Sequence, residues 1–145
     1  MKHRILLAFA PLLLVVACAT TGPAVTGGAE SGTDVVIDMQ PFLRFAPTPQ
    51  TISVGDTVEF RNVSAFVHSV STRPATPEEA ASTELPVGAE SFDSGDIEAG
   101  GIYRQTFTIP GTYRYFCDPH HGAGMEGTII VTEGMAGTTI MTEDH

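Results

Sequence analysis

A thiol, two imidazoles and a thioether crowd into Cys117-Asp-Pro-His-His-Gly-Ala-Gly-Met125, between two strand-like segments near the end of the chain. Cysteine and histidine are soft and borderline metal ligands, and methionine sulfur is a weak one. Cys117-x-x-His120, with Met125 five residues beyond, puts three such groups on one tight loop. Pro119 stiffens that loop, and Gly122 and Gly124 are expected to let the backbone double back where a Cβ would clash. One more imidazole from a distant part of the chain would complete a His₂Cys set with a long axial Met, which suits copper electron transfer. Whatever fold forms must hold this loop between rigid elements and bring a remote histidine to it.

His68, in Ala65-Phe-Val-His-Ser-Val-Ser71, is the default candidate. A histidine among apolar residues is more often a satisfied core residue than a ligand. Beyond the cluster and the terminal His145, however, it is the only histidine after the first 17 residues. Phe66 and Val67 beside it could seal a metal from water. His121 competes with His120 for the loop position; spacing and the preceding Pro119 favour His120, leaving His121 exposed.

Metal choice follows from ligand type. Structural zinc sites prefer four Cys/His ligands, and iron–sulfur clusters need more thiolates than one. A Cys–His catalytic pair has no use for Met125, and neither an open position nor a nearby base suggests substrate chemistry. Gly122-x-Gly124 is not a phosphate cradle, because no helix follows it.

The chain of 145 residues has room for one domain with appendages, and about 100 residues can bury a real core without disulfides. Its net charge is −10, with 17 acidic against 7 basic residues. Without Lys2 and Arg4, which lie in a segment expected to be removed, five arginines would face 17 acids, a net of −12. That argues against nucleic acid, and against binding anionic lipid by charge alone. The acidity fits solubility in a salty medium or steering towards a basic partner.

Met1-Lys-His-Arg4 and the apolar run Ile5 to Val16 read as a signal peptide, too short to span a bilayer. Val15-Val16-Ala17-Cys18 resembles a bacterial lipobox, which would lipidate Cys18 and make it the first mature residue. An ordinary signal peptide cut near Ala17 or Ala19 is the alternative. The expected organisation is a lipoprotein signal over 1–17, a flexible tether over 18–33, a domain over 34–133 and a disordered tail over 134–145 containing Met135, Met141 and His145.

Within the domain, Val35, Ile37 and Met39 alternate with Val36, Asp38 and Gln40 as a strand does. Phe42-Leu-Arg-Phe45 is expected to continue that strand, with Pro47 and Pro49 ending it. Thr51–Val54, Thr57–Val63, Tyr103–Ile109, Thr112–Cys117 and Gly127–Thr132 read as further strands, separated by Gly and Pro turns. Asn62-Val63-Ser64 matches a glycosylation sequon, taken as chance. Thr76, Pro77 and Glu79 predict a short capped helical turn, and Glu78, Glu79, Glu84 and Glu90 a solvated acidic loop. Short, evenly spaced strands imply an all-β sandwich with Greek-key connections.

Phe116-Cys-Asp-Pro-His-His-Gly-Ala-Gly-Met-Glu-Gly127 resembles the copper loop of the plastocyanin family of small blue copper proteins. Thr51-Ile-Ser-Val-Gly-Asp-Thr-Val-Glu-Phe-Arg-Asn62 and Phe107-Thr-Ile-Pro-Gly-Thr-Tyr113 resemble its strand–turn elements, and the lipobox adds a likeness to membrane-anchored halocyanins. The resemblance spans about Asp34 to Thr132. It implies a cupredoxin sandwich, with one copper ion cycling between Cu(II) and Cu(I) on His68, Cys117, His120 and Met125. It further implies no enzymatic activity, but single-electron shuttling between cytochromes or membrane oxidoreductase complexes. The carrier would be a monomer, lipid-anchored in the periplasm or another extracytoplasmic space. His120 would be the electron port, ringed by an apolar docking patch of Phe66, Pro119, Ala123 and Gly124. Copper storage, delivery or tolerance, with the Met/His tail helping, is the rival reading, and a metal-free structural lipoprotein a third. The family usually has Asn directly after the first histidine, tying the ligand loops together. Here Ser69 stands there, which suggests an altered reduction potential, with a rise the expected direction.

Overall fold

A computed structural model describes residues 34–134. The expected signal, tether, lipidated Cys18 and Met/His tail lie outside the described residues, apart from Gly134. Seven strands form two mixed sheets: β1 (Asp34–Gln40), β2 (Arg44–Ala46), β3 (Gln50–Ser53), β4 (Thr57–Asn62), β5 (Ile102–Thr106), β6 (Gly111–Phe116) and β7 (Glu126–Thr132). One sheet has the order β2-β1-β4-β5 and the other β3-β7-β6. β1 runs parallel to β4, and β3 to β7, so the chain crosses between the sheets as a Greek-key sandwich requires.

Alternation places the core. Ile37, Met39, Val58 and Phe60 are buried from one sheet, and Tyr113, Tyr115, Ile129 and Val131 from the other. Tyr115 sits between them, edge-on to Phe45 at 4.8 Å and to Phe60 at 5.4 Å. Such pairs add to the area they bury.

One expected strand is broken. Residues 41–43 turn instead of extending β1; Leu43 has φ 55° and its N–H donates to Gln40 O at 3.1 Å. β2 then returns antiparallel, pairing Met39 with Phe45. The tight turn leaves Phe42 83 % exposed. Apolar periodicity cannot register such a reversal, because Phe45 keeps the inward parity in either geometry.

The predicted helical turn is present as α1 (Pro77–Ala81). Thr76 Oγ1 accepts from the Glu79 N–H, and the Glu79 carboxylate accepts from the Thr76 N–H, a reciprocal capping box. On the outer face of the first sheet, Glu59 is nearly covered and gripped by Arg61 and Arg104. These guanidinium hydrogen bonds hold its carboxyl below the usual range.

A Cβ at Gly127 would overlap the Tyr115 ring, and the buried Tyr115 hydroxyl has no partner. Gly127→Ala should therefore cost about 1–3 kcal/mol, while Tyr115→Phe should change stability by less than about 1 kcal/mol. Urea midpoints should show the two coupled, with Tyr115→Phe relieving part of the Gly127→Ala loss. Because folding lowers the Glu59 pKa, its contribution is present above the unfolded value and disappears as pH falls through the folded one. Glu59→Gln should thus flatten the acid limb of a stability–pH curve below about pH 5.

Candidate metal centre

The centre lies at the end of the sandwich where β4 and β6 finish. Beyond β4, Asn62 is 2 % exposed, and its amide donates to Phe66 O at 2.6 Å and Ile97 O at 2.9 Å. That nitrogen is fully committed within the fold. Asn62 Oδ1 accepts from the N–H of Ser64 at 3.0 Å and from its hydroxyl at 2.9 Å. Ser64 Oγ lies 2.8 Å from His68 Nε2. With the hydroxyl hydrogen directed to Asn62, the network assigns the imidazole proton to Nε2. Nδ1 is left with a free lone pair. A two-way bridge to Ile97, at 3.1 and 2.7 Å, fixes the His68 backbone.

The other side chains come from one turn. β6 delivers Cys117; residues Asp118–Ala123 form a single 3₁₀ segment, and Gly124 ends it at φ 79°. Of the two loop glycines, only Gly124 has the left-handed backbone that favours glycine, and a Cβ at Gly122 would meet nothing within 4 Å. The Cys117 N–H donates to Met125 O at 3.0 Å and the His120 N–H to Cys117 O at 3.1 Å, closing the loop at its neck. β7 then leads away.

This folding brings the three strongest donors together. Cys117 Sγ stands 3.7 Å from His68 Nδ1 and 3.5 Å from His120 Nδ1. The three candidate ligand atoms all lie within 4.8 Å of one another. His68, Cys117 and Met125 are fully buried, whereas His120 is partly exposed. Burial, with the nearby His120, pushes the His68 pKa down, and burial pushes the Cys117 thiol up against the Ser69 N–H donated to Sγ at 3.4 Å. Without a cation the centre therefore favours neutral side chains. A cation would offset the cost of a buried thiolate.

His121 is not the exposed bystander expected from sequence. Its side chain is 16 % exposed, with Nε2 3.0 Å from Ser82 Oγ and 3.4 Å from Glu126 Oε1. The Ser82 hydroxyl donates to the same Glu126 oxygen at 2.6 Å. Serine and carboxylate thus share one ring nitrogen, which is no relay for activating a nucleophile. The cluster instead pins the back of the loop. Ser69 also does more than expected: its Oγ accepts the Asp118 N–H and donates to Asp118 Oδ2, both at 2.8 Å.

A family model for copper binding proteins, the plastocyanin/azurin family, matches residues 32–132. The chain belongs to the plastocyanin/azurin family. Plastocyanin of Scenedesmus fuscus is 38 % identical over 108 residues, covering 72 % of this chain and 93 % of the relative. Chloroplastic plastocyanin of Hordeum vulgare is 31 % identical over 111 residues, covering 76 % and 69 %. Among solved structures, the Cu(I) form of an amicyanin mutant superposes with TM-score 0.54 at 26 % identity, over 68 % of this chain and 82 % of that one. A Cu-containing nitrite reductase from Thermus scotoductus gives TM-score 0.56 at 30 % identity, over 71 % of this chain but 23 % of that one.

The donors suit the family's copper. Metal–nitrogen and metal–sulfur bonds of roughly 2.0 and 2.3 Å at trigonal angles leave N and S about 3.7 Å apart, close to the separations found. One thiolate, two imidazoles and a thioether form the donor set of blue-copper centres. Spacing does not reveal the support from Asn62, Ser64 and Asp118, although the first two stand in the Asn62-Val63-Ser64 sequon. Ser64→Ala removes the acceptor that orients His68. It should weaken copper binding by about 10- to 100-fold in competition with a chelator, while the far-UV spectrum stays unchanged.

Proposed function

We propose that the protein is a type 1 copper electron carrier, with Cys117, His68 and His120 as strong ligands and Met125 as the weak one. The observation that carries this is the buried Cys117–His68–His120 cluster, already spaced for a single ion in a chain of this family. Copper bound there would supply a one-electron Cu(II)/Cu(I) couple. The residues do the remainder. Asn62 and Ser64 hold His68 in the ligating tautomer, the Cys117–Met125 neck fixes the loop, and Ser69 donates to the sulfur. Ligands held from both sides move little between oxidation states, which keeps the reorganisation accompanying electron transfer small.

His120 offers the route in and out. It is the partly exposed member of the set, and the Phe66 ring stands edge-on to it at 6.2 Å. Phe66, Pro119, Ala123 and Gly124 are all exposed around it, and they would form the docking patch for a cytochrome or membrane oxidoreductase complex. The reading is of electron transfer rather than of an enzyme's substrate chemistry. A cavity of about 310 Å³ between Gly88–Phe92 and Gln105–Ile109 shares no residue with the donors. Since β1 runs parallel to β4 towards Asn62, the chain enters the domain at the end away from the metal. A lipidated Cys18 with its tether would then leave the His120 face of a monomer free in an extracytoplasmic space.

The copper-loaded, oxidised protein should show intense visible Cu–thiolate absorption, and Cys117→Ser should abolish it. A colourless copper-loaded wild type would overturn the assignment.

A further inference from the structure

Ser69 directly follows His68, and Asp118 directly follows Cys117. The pair bridges the two segments that meet at the metal centre. Ser69 is 1 % exposed, and its hydroxyl accepts from the Asp118 backbone and donates to its carboxylate. The same residue's N–H donates to Cys117 Sγ. The residue that reaches the sulfur is therefore also the one that clamps the carboxylate. Among the described residues no Arg or His forms an ion pair with Asp118; Asp93 and Glu79, the neighbours that act on it by charge, are acidic themselves.

We propose that Asp118, clamped by Ser69, is a positioning residue that keeps a fixed negative charge beside the Cys117 sulfur and lowers the reduction potential of the bound copper. The proposal rests on the copper reading above. Its sign follows from charge. A Cu(II)–thiolate unit carries one more positive charge than a Cu(I)–thiolate unit, so a nearby anion stabilises the oxidised state. The Ser69 N–H acts the other way, by drawing electron density from the sulfur. Ser69 thus contributes two opposed influences, one through its backbone and one through the acid it holds. A simple loss of hydrogen-bonding capacity relative to asparagine would leave out the second.

Asp118→Asn isolates the charge, since the amide oxygen can still accept from Ser69. Redox titration of the copper-loaded variant should show an upward shift in midpoint potential. At a fixed solution potential the Cu(I)/Cu(II) ratio should rise roughly threefold, the factor expected for a unit charge a few ångströms away under water-like screening. The shift should shrink between low and high salt, because Asp118 is exposed. The visible band should persist. Ser69→Ala should keep the charge but lose the clamp, lowering the melting temperature of the metal-free protein more than Asp118→Asn does. An Asp118→Asn potential equal to or below that of the wild type, with the band intact, would overturn the proposal and leave the copper assignment standing. A colourless wild type would instead remove the copper assignment itself.

Discussion

Four residues, His68 to Ser71, tie β6 to the 93–97 segment at the metal end of the sandwich. On one side His68 bridges to Ile97 and Ser71 to Asp93; on the other, Ser71 exchanges backbone hydrogen bonds with Phe116 at 2.9 and 3.0 Å. The seam continues through the Ser69 amide to the Cys117 sulfur and through its hydroxyl to Asp118. Each end of the metal centre is thereby referenced to the other. This seam adds to the shared core in tying the strand that carries Cys117 to the loop that carries His68, and it holds Cys117 Sγ 3.7 Å from His68 Nδ1.

Burial then does chemical work. A thiol whose pKa is pushed up and an imidazole whose pKa is pushed down are, without metal, a neutral and tolerable core. The same desolvation leaves them poor hosts for any charge except that of a cation they share. The hydrogen-bond network around them favours one arrangement: Asn62 orders Ser64, Ser64 orders the His68 ring, and the Nδ1 lone pair faces the sulfur. The back of the loop is braced separately, by His121, Ser82 and Glu126. Support therefore reaches the ligand loop from inside and outside the sandwich, and only the His120 edge remains partly open.

Much of this was legible in the chain itself. Alternation in Val35–Met39 and Tyr103–Phe107 assigned the inward faces. The Thr76–Glu79 capping box placed the helical turn, because its two hydrogen bonds are local and depend on residues three apart. Cys117, His120 and Met125 were readable because one loop holds all three. The features that differ from the local pattern share a cause. The reversal at 41–43 preserves the apolar parity, so pattern could not detect it. The absence of strain at Gly122 depends on the path of the turn rather than on composition. The cover of His121 escapes the local pattern because Ser82 and Glu126, which supply it, lie 39 and five residues away.

The sequence by itself determined the donor types, the tight loop that carries three of them, the alternating strands and the family. Those properties are local or additive along the chain. Only the tertiary structure decided that His68 meets Cys117 across 49 residues, and which of its nitrogens is free. It also turned Ser69 from an apparent substitution into the partner of Asp118. Hydrogen bonds and desolvation act over a few ångströms, so their pattern depends on which distant segments the fold brings into contact, and spacing along the chain carries little record of that.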